Sequence, residues 1–382
     1  MYLLLAMVNK IFILILGVFG LFNASAQKTK TDVLVTGREN WAAALQSAIS
    51  AVNTTFVYSP GSFPLGQINQ NLPSGISAEL LKRTQGNTSA AIINTTIQKW
   101  MDTTKNLTLI QVQEPVSPVS SGSGWMLKLS DGSSIKAKVA ISTKSTTVMA
   151  MPIDYAKTAY RTSLLSGIYD TSKKTTATFL RLADFLDPEI DNAVFVPAAE
   201  IQAAQAAGAI AAYAAFFKTK TSLSNFKRIQ GELLGHKLAL VPLADVTAAD
   251  SSWRAIQNLT LMGVLKPVLQ NGQLLFKPQQ PVQIEEVKQP LKDLYYKAQI
   301  WFDDNPSGIM SLEKTIALVC YVGNKSEVAV RAAVEKKWST DFRKEGVLDY
   351  KKAVSRTTFS ILLNDYLRPA DVSIDRTGRI TR

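Results

Sequence analysis

Among 382 residues there is one cysteine, Cys320, and one histidine, His236. A single thiol cannot make an intrachain disulfide framework or a cysteine-rich zinc site. A single imidazole excludes metal centres built on paired histidines, including the two-histidine helix of zinc proteases. Any Ser-His-Asp or Cys-His nucleophile would have to be built on His236. No metal is therefore expected, and much hydrolase chemistry is closed off. Charge is sparse as well, at 19% of residues against 46% hydrophobic, which is the balance of a chain able to bury a core. At roughly 150 residues per domain, the length suggests two or three domains.

The charge that is present is mostly positive, 42 Lys+Arg against 30 Asp+Glu, for a formal net charge of +12. Such a balance suits anionic partners. The basic residues are scattered, with only short pairs such as Lys173-Lys174, Lys336-Lys337 and Lys351-Lys352. No aromatic-basic ribbon is seen, so nucleic acid is not an expected partner.

Residues 1–26 read as an export signal. Lys10 is the only charge before an apolar run from Ile11 to Phe22, and Ala24-Ser25-Ala26 supplies a small-x-small cleavage pattern. Cleavage would leave Gln27 at the mature N-terminus, with no integral membrane segment and a periplasmic, cell-surface or secreted location. The other reading is an uncleaved anchor, because Tyr2 to Phe22 is nearly long enough to span a bilayer.

The next segment predicts a βαβ unit. Asp32 to Thr36 is a short apolar strand followed by Gly37. Trp41 to Ala51 is an Ala-rich helix, and Thr55 to Tyr58 a second strand ending at Ser59-Pro60-Gly61. This order implies a parallel sheet. Ser74 to Lys105 is helix-compatible, Leu107 to Val112 strand-like, and Trp125 to Leu129 with Ser134 to Ile141 a hairpin. Residues 146–190 are less regular. Asn192 to Val196 reads as a strand and Ala198 to Phe217 as an Ala-rich helix that packs closely on a sheet. From Leu243 onward the pattern is amphipathic helix, and a domain boundary is placed near His236.

These blocks resemble the secreted bacterial FAD-dependent oxidoreductases, over most of residues 31–235. The match lies in the opening strand, glycine turn, helix and strand, the hairpin from Gly124 to Ile141, and Asp191 to Pro197 with the helix around Gly208. The resemblance implies a Rossmann-like FAD-binding-type domain whose cofactor positions fall at Gly37, Arg38, Ala42, Ser59 and Gly208. Most of these depart from the family pattern. A dinucleotide turn needs glycines for tightness and for approach to the diphosphate. Here only Gly37 remains, with Glu39 and Ala42 at the other two positions. Ser59 replaces the ribose-binding acid, and Thr143-Lys144-Ser145 replaces an Ala-Thr-Gly turn. A carboxylate at Glu39 opposes an anion where the helix N-terminus should welcome one.

A second resemblance covers 243–287, where Trp253 to Leu259, Met262 to Leu265, Phe276-Lys277-Pro278 and Glu285-Glu286-Val287 resemble an S-layer homology repeat. Asp245 and Asp250 are candidate helix caps. Weaker echoes begin at Ile309 and at Ala353. The resemblance implies recognition of envelope polysaccharide, with Trp253 and Arg356 as the binding positions; Ile284 stands where the first repeat would carry arginine. The helices would otherwise be a structural cap. Acidic clusters such as Asp184 to Asp191 and Glu285-Glu286 could also serve a glycosidase, although caps and turns account for most of them.

The expected fold class is therefore α/β. A Rossmann-like FAD-binding-type domain spans residues 27–235, and a mostly α-helical S-layer-homology-like domain spans 236–382. The expected function is that of an exported relative of the FAD-dependent oxidoreductases whose dinucleotide motif has decayed, acting in envelope glycan or protein binding. The alternative is an active FAD-dependent oxidoreductase on a sugar-like substrate.

Overall fold

The computed structural model describes residues 28–64, 73–114, 116–143, 150–171, 174–197, 200–340, 342 and 346–381. The expected export signal at 1–26 and Lys144-Ser145 lie outside the described residues. No helix among the described residues is long and apolar enough to cross a membrane.

The opening follows the expected order. Strand β1 (Lys28–Thr36) leads through a short turn into α1 (Trp41–Ile49) and β2 (Thr54–Tyr58). The helix-compatible stretch that follows divides into α2 (Ile76–Arg83) and α3 (Ala90–Thr103). Gln85 and Gly86, both at positive φ (52° and 77°), end the first of them. Next come β3 (Leu107–Gln111), β4 (Val119–Ser121), β5 (Gly124–Lys128) and β6 (Ser134–Thr143).

Residues 150–190, read as irregular, hold a three-stranded antiparallel sheet. Its strands are β7 (Met151–Pro152), β8 (Leu165–Thr171) and β9 (Lys174–Leu180) in the order β7-β9-β8. Gly167 and Asp170 in β8, and the hydroxyl-rich Lys174-Thr175-Thr176 of β9, hide the alternation that marks a strand in sequence. The α/β part then closes with β10 (Ala193–Val196), α4 (Ile201–Phe217) and α5 (Phe226–Gly235).

The main sheet runs β3-β2-β1-β6-β10, every pair parallel. The antiparallel β4-β5 hairpin joins it through β6. Val33 and Val35 face one apolar cluster with α1 and α4, whereas Leu34 faces a second with Val57, Leu127 and Ile135. Covered on both faces, β1 reads as a continuous apolar run. The fold is Rossmann-like.

Small side chains let α1 and α4 approach. A Cβ added to Gly208 would lie 2.5 Å from the Ala43 carbonyl and 2.8 Å from Gln46 Cβ. Ser47 Oγ donates to the Gly208 carbonyl (3.1 Å), and Gln205 Nε2 to Gln46 Oε1 (2.9 Å).

The C-terminal part contains α6 (Trp253–Leu261), the hairpin β11 (Val268–Gln270) and β12 (Gln273–Leu275), and α7 (Ile284–Leu294). Then follow α8 (Ala298–Asp304), α9 (Leu312–Gly323), α10 (Glu327–Lys337) and α11 (Arg356–Tyr366). Three backbone segments meet in a closed ring. Val282 N–H donates to the Val354 carbonyl (3.1 Å), Val354 N–H to Met310 (2.9 Å) and Met310 N–H to Val282 (3.0 Å). Each residue stands two positions before a helix, α7, α9 or α11, and all three are buried. Val282 falls in the first predicted repeat, and Met310 and Val354 fall in the two weaker echoes. Asp250 supports the start of α6 by accepting from Ser252 N (3.0 Å). Asp245 caps no helix; it clamps the loop at Phe276 N (2.8 Å) and Lys277 N (2.7 Å). One apolar cluster continues across position 235, from Val33 to Ile374.

Candidate functional site

In open parallel sheets, ligands bind beyond the C-terminal ends of the strands, where neighbouring crossovers diverge. Here that place is the turn after β1, beside the ends of β2 and β6. Gly37 takes φ 89°, a conformation that glycine adopts without strain, and its N–H donates to the Val57 carbonyl (3.2 Å). A single 3-10 turn, Arg38–Asn40, then feeds α1.

Side chains of this turn fill the mouth. Glu39 bends back over Gly37, so that a Cβ there would be 2.6 Å from Glu39 Oε1. The same oxygen accepts the Thr143 hydroxyl at the end of β6. Asn40 is buried and donates to the Thr36 carbonyl (2.7 Å) and to Thr143 Oγ1 (3.1 Å). Its Oδ1 is buried without a partner among the described residues. Arg38 reaches to the end of β2, donating from Nε to the Ser59 carbonyl (2.8 Å) and from Nη1 to the Gly61 carbonyl. Its guanidinium lies 4.7 Å over the Phe63 ring and 5.4 Å over Tyr58. Burial lowers its pKa from the usual value.

The expected cofactor positions separate into two groups. Gly37, Arg38 and Ser59 meet at the mouth, but Ser59 is engaged through its backbone carbonyl by Arg38. Ala42 is fully buried and Gly208 lies in the α1–α4 contact. Glu200, just before α4, adds a carboxylate at this end of the sheet, and burial raises its pKa.

The flavin dinucleotide implied by resemblance does not fit these residues. A diphosphate over Gly37 would meet the Glu39 carboxylate, which repels an anion. A ribose at the end of β2 would have to displace Arg38 and would find no acidic side chain.

The expected polysaccharide positions need correction. Trp253 is 1% exposed and Arg356 is 4% exposed. Arg356 donates to Glu286 of the first unit and to the Lys266 carbonyl (2.7 Å), and lies 4.8 Å over the Phe276 ring. A polymer on the surface reaches neither residue, because amphipathic spacing brought both inward. At the position equivalent to Arg356, the other units carry Ile284 and Leu312, both buried. The acidic clusters are occupied as well. Asp184 pairs with Arg181 (3.0 Å), Asp191 with Lys220 (2.7 Å), and Glu285 accepts from Gly308 N (3.1 Å). No group of three or more metal-ligating side chains occurs among the described residues. Cys320 is a buried free thiol, and burial raises its pKa.

A feature that sequence reading missed is a groove of about 1400 Å³ between the C-terminal halves of α1 and α4, the helix α5, and residues 370–376. Phe216 and Phe217 line it, 61% and 58% exposed. The adjacent phenylalanines ending an Ala-rich helix were the available signal. On its wall, Glu232 accepts from Ser50 Oγ (2.7 Å) and contacts His236 Nε2 (3.1 Å), which holds its pKa down.

Lys227 also lines the groove. Its Nζ lies 3.6 Å from Met262 Sδ, and burial pushes its pKa down to about 8. Below about pH 8 both folded and unfolded chains carry this charge and the fold bears the full penalty. As pH rises from about 8 towards the unfolded value of 10.5, the unfolded chain holds more protons and stability rises. Lys227→Met should therefore stabilise by about 2 kcal/mol at neutral pH, allowing for partial exposure. Denaturant titrations at several pH values should show that gain vanish above pH 10.5.

No family model and no curated protein matches this chain. Among solved structures, GidA from Aquifex aeolicus is 16% identical over 33% of this chain and 27% of its own, with TM-score 0.23. An oxidoreductase from Agrobacterium tumefaciens is 14% identical over 33% and 39%, with TM-score 0.22. Thioredoxin reductase from Streptococcus pyogenes is 21% identical over 33% and 39%, with TM-score 0.20. The chain thus spans 27–39% of the length of these structures. At such TM-scores the likeness bears on nothing further, and the fold assignment rests on strand order and register.

Proposed function

We propose that this is an exported, non-catalytic binding protein. Its FAD-oxidoreductase-like domain, residues 27–235, keeps the architecture of a flavin fold but not its nucleotide site, and its helical part, 236–382, is built from S-layer-homology-like units. The observation that carries this reading is the self-closure of the mouth. Arg38 is bonded to the Ser59 and Gly61 carbonyls, and Glu39 lies over Gly37. Fold and chemistry are separable, so a sheet of this kind persists when its cofactor site is lost. The ring of Val282, Met310 and Val354 supports the repeat assignment. Burial of Trp253 and Arg356 favours a protein partner in the envelope over a polysaccharide.

Ligand-induced stabilisation tests the reading. FAD at about 100-fold above its Kd would add about 2.7 kcal/mol to stability. We expect neither FAD nor ADP to move the melting temperature; a rise of several degrees with FAD would overturn the proposal. Export has its own test. N-terminal sequencing of protein recovered outside the cytoplasm should begin at Gln27, and recovery of an intact membrane-bound leader would contradict cleavage.

A further inference from the structure

We propose that the groove beside α4 docks an extended acidic-apolar peptide segment of a protein partner. The inference rests on the binding-protein reading and gives that reading a surface. Phe216, Phe217 and Leu223 stand 58–65% exposed along it, an apolar grouping of the kind that marks interaction surfaces. The volume, about 1400 Å³, exceeds the ~300–1,000 Å³ of ordinary small-molecule pockets.

Charge identifies the occupant. Arg228, Arg254 and Arg376 line the same groove. Arg254 reaches only the Gly231 carbonyl (3.5 Å) and Arg376 only the Ser222 carbonyl. Among the described residues no carboxylate pairs with any of the three. Of the groove's own acids, Asp375 accepts from Thr377 N (2.8 Å) and Arg379 N (3.0 Å), Glu232 accepts from Ser50, and Asp371 acts electrostatically on Lys227 rather than on the three arginines. Cations without acidic partners around an apolar strip complement a chain that alternates large apolar with acidic side chains.

The test is fluorescence anisotropy of the purified full chain with two labelled dodecapeptides. One alternates Phe or Leu with Asp or Glu; the other carries Lys at each acidic position. We expect the acidic peptide to bind and the lysine peptide to bind at least tenfold more weakly. The double variant Phe216→Ser/Phe217→Ser, and separately Arg228→Glu/Arg376→Glu, should each lose at least tenfold in affinity. These side chains are exposed, so the melting temperature should hold and loss of binding would not reflect unfolding. Failure of the acidic peptide to bind, or equal binding by wild type and both variants, overturns the proposal. Displacement of the peptide by polygalacturonate that itself binds more tightly would also overturn it, in favour of an acidic glycan. A protein that fails here yet ignores FAD leaves the flavin-free reading standing, so the two failures are distinguishable.

Discussion

Arg356→Ala should lower the unfolding free energy by about 2–3 kcal/mol, read as a reduced urea midpoint at unchanged slope. The arginine is 4% exposed, and its guanidinium joins Glu286 of one unit to the Lys266 carbonyl while covering Phe276. Removing it leaves the Glu286 carboxylate without its cation and uncovers an aromatic face. Glu286 has a side-chain exposure of 23%, so water recovers part of the loss and the cost stays at the lower end for a broken buried pair. Lysine should not rescue the variant, because Arg356 reaches Glu286 and the Lys266 carbonyl from two separate nitrogens of a planar fork, which a single ammonium nitrogen does not reproduce. An unchanged midpoint would mean that Arg356 faces outward as a surface-binding residue would.

The second large effect is expected at Gly208. Gly208→Val places a branched side chain where a single Cβ already lies 2.5 Å from the Ala43 carbonyl. A main-chain oxygen cannot swing aside as a flexible side chain can, so α1 and α4 must separate. Separation would also stretch the hydrogen bonds from Ser47 Oγ to Gly208 and from Gln205 to Gln46. Overpacking of this kind costs about 3 kcal/mol. Thermal unfolding by circular dichroism measures it, and a change below about 0.5 kcal/mol would contradict the close helix contact. A Gly208→Ala variant should show a smaller loss in the same direction, as the carbonyl meets one methyl rather than three carbons.

Local patterns made the α/β core legible. The apolar run of β1, the glycine after it and the Ala-rich α1 and α4 depend on near neighbours in the chain, and their order implied the parallel sheet. The small antiparallel sheet at 151–180 was hidden because β7 pairs with β9 more than twenty residues away, with Gly167 and Asp170 interrupting the alternation. At the mouth, the chemistry of Glu39 and Ser59 was readable as a departure from a nucleotide motif. That Arg38 would bond across to the end of β2, and Glu39 to Thr143, depends on side-chain geometry that spacing does not reveal. In the helical part the resemblance, rather than the spacing, pointed to Trp253 and Arg356 as binding positions, whereas both lie on the inward faces of α6 and α11. The ring through Val282, Met310 and Val354 was not legible, because backbone hydrogen bonds between distant segments leave no side-chain pattern in the sequence.

The central claim is that the flavin-type crevice is closed by the chain's own side chains. Its most direct test is the visible absorption spectrum of the protein purified from flavin-replete cells, recorded again after incubation with FAD and removal of free ligand. The account expects a colourless protein both times, with no flavin released on denaturation. A flavin band that stays with the folded protein would contradict it.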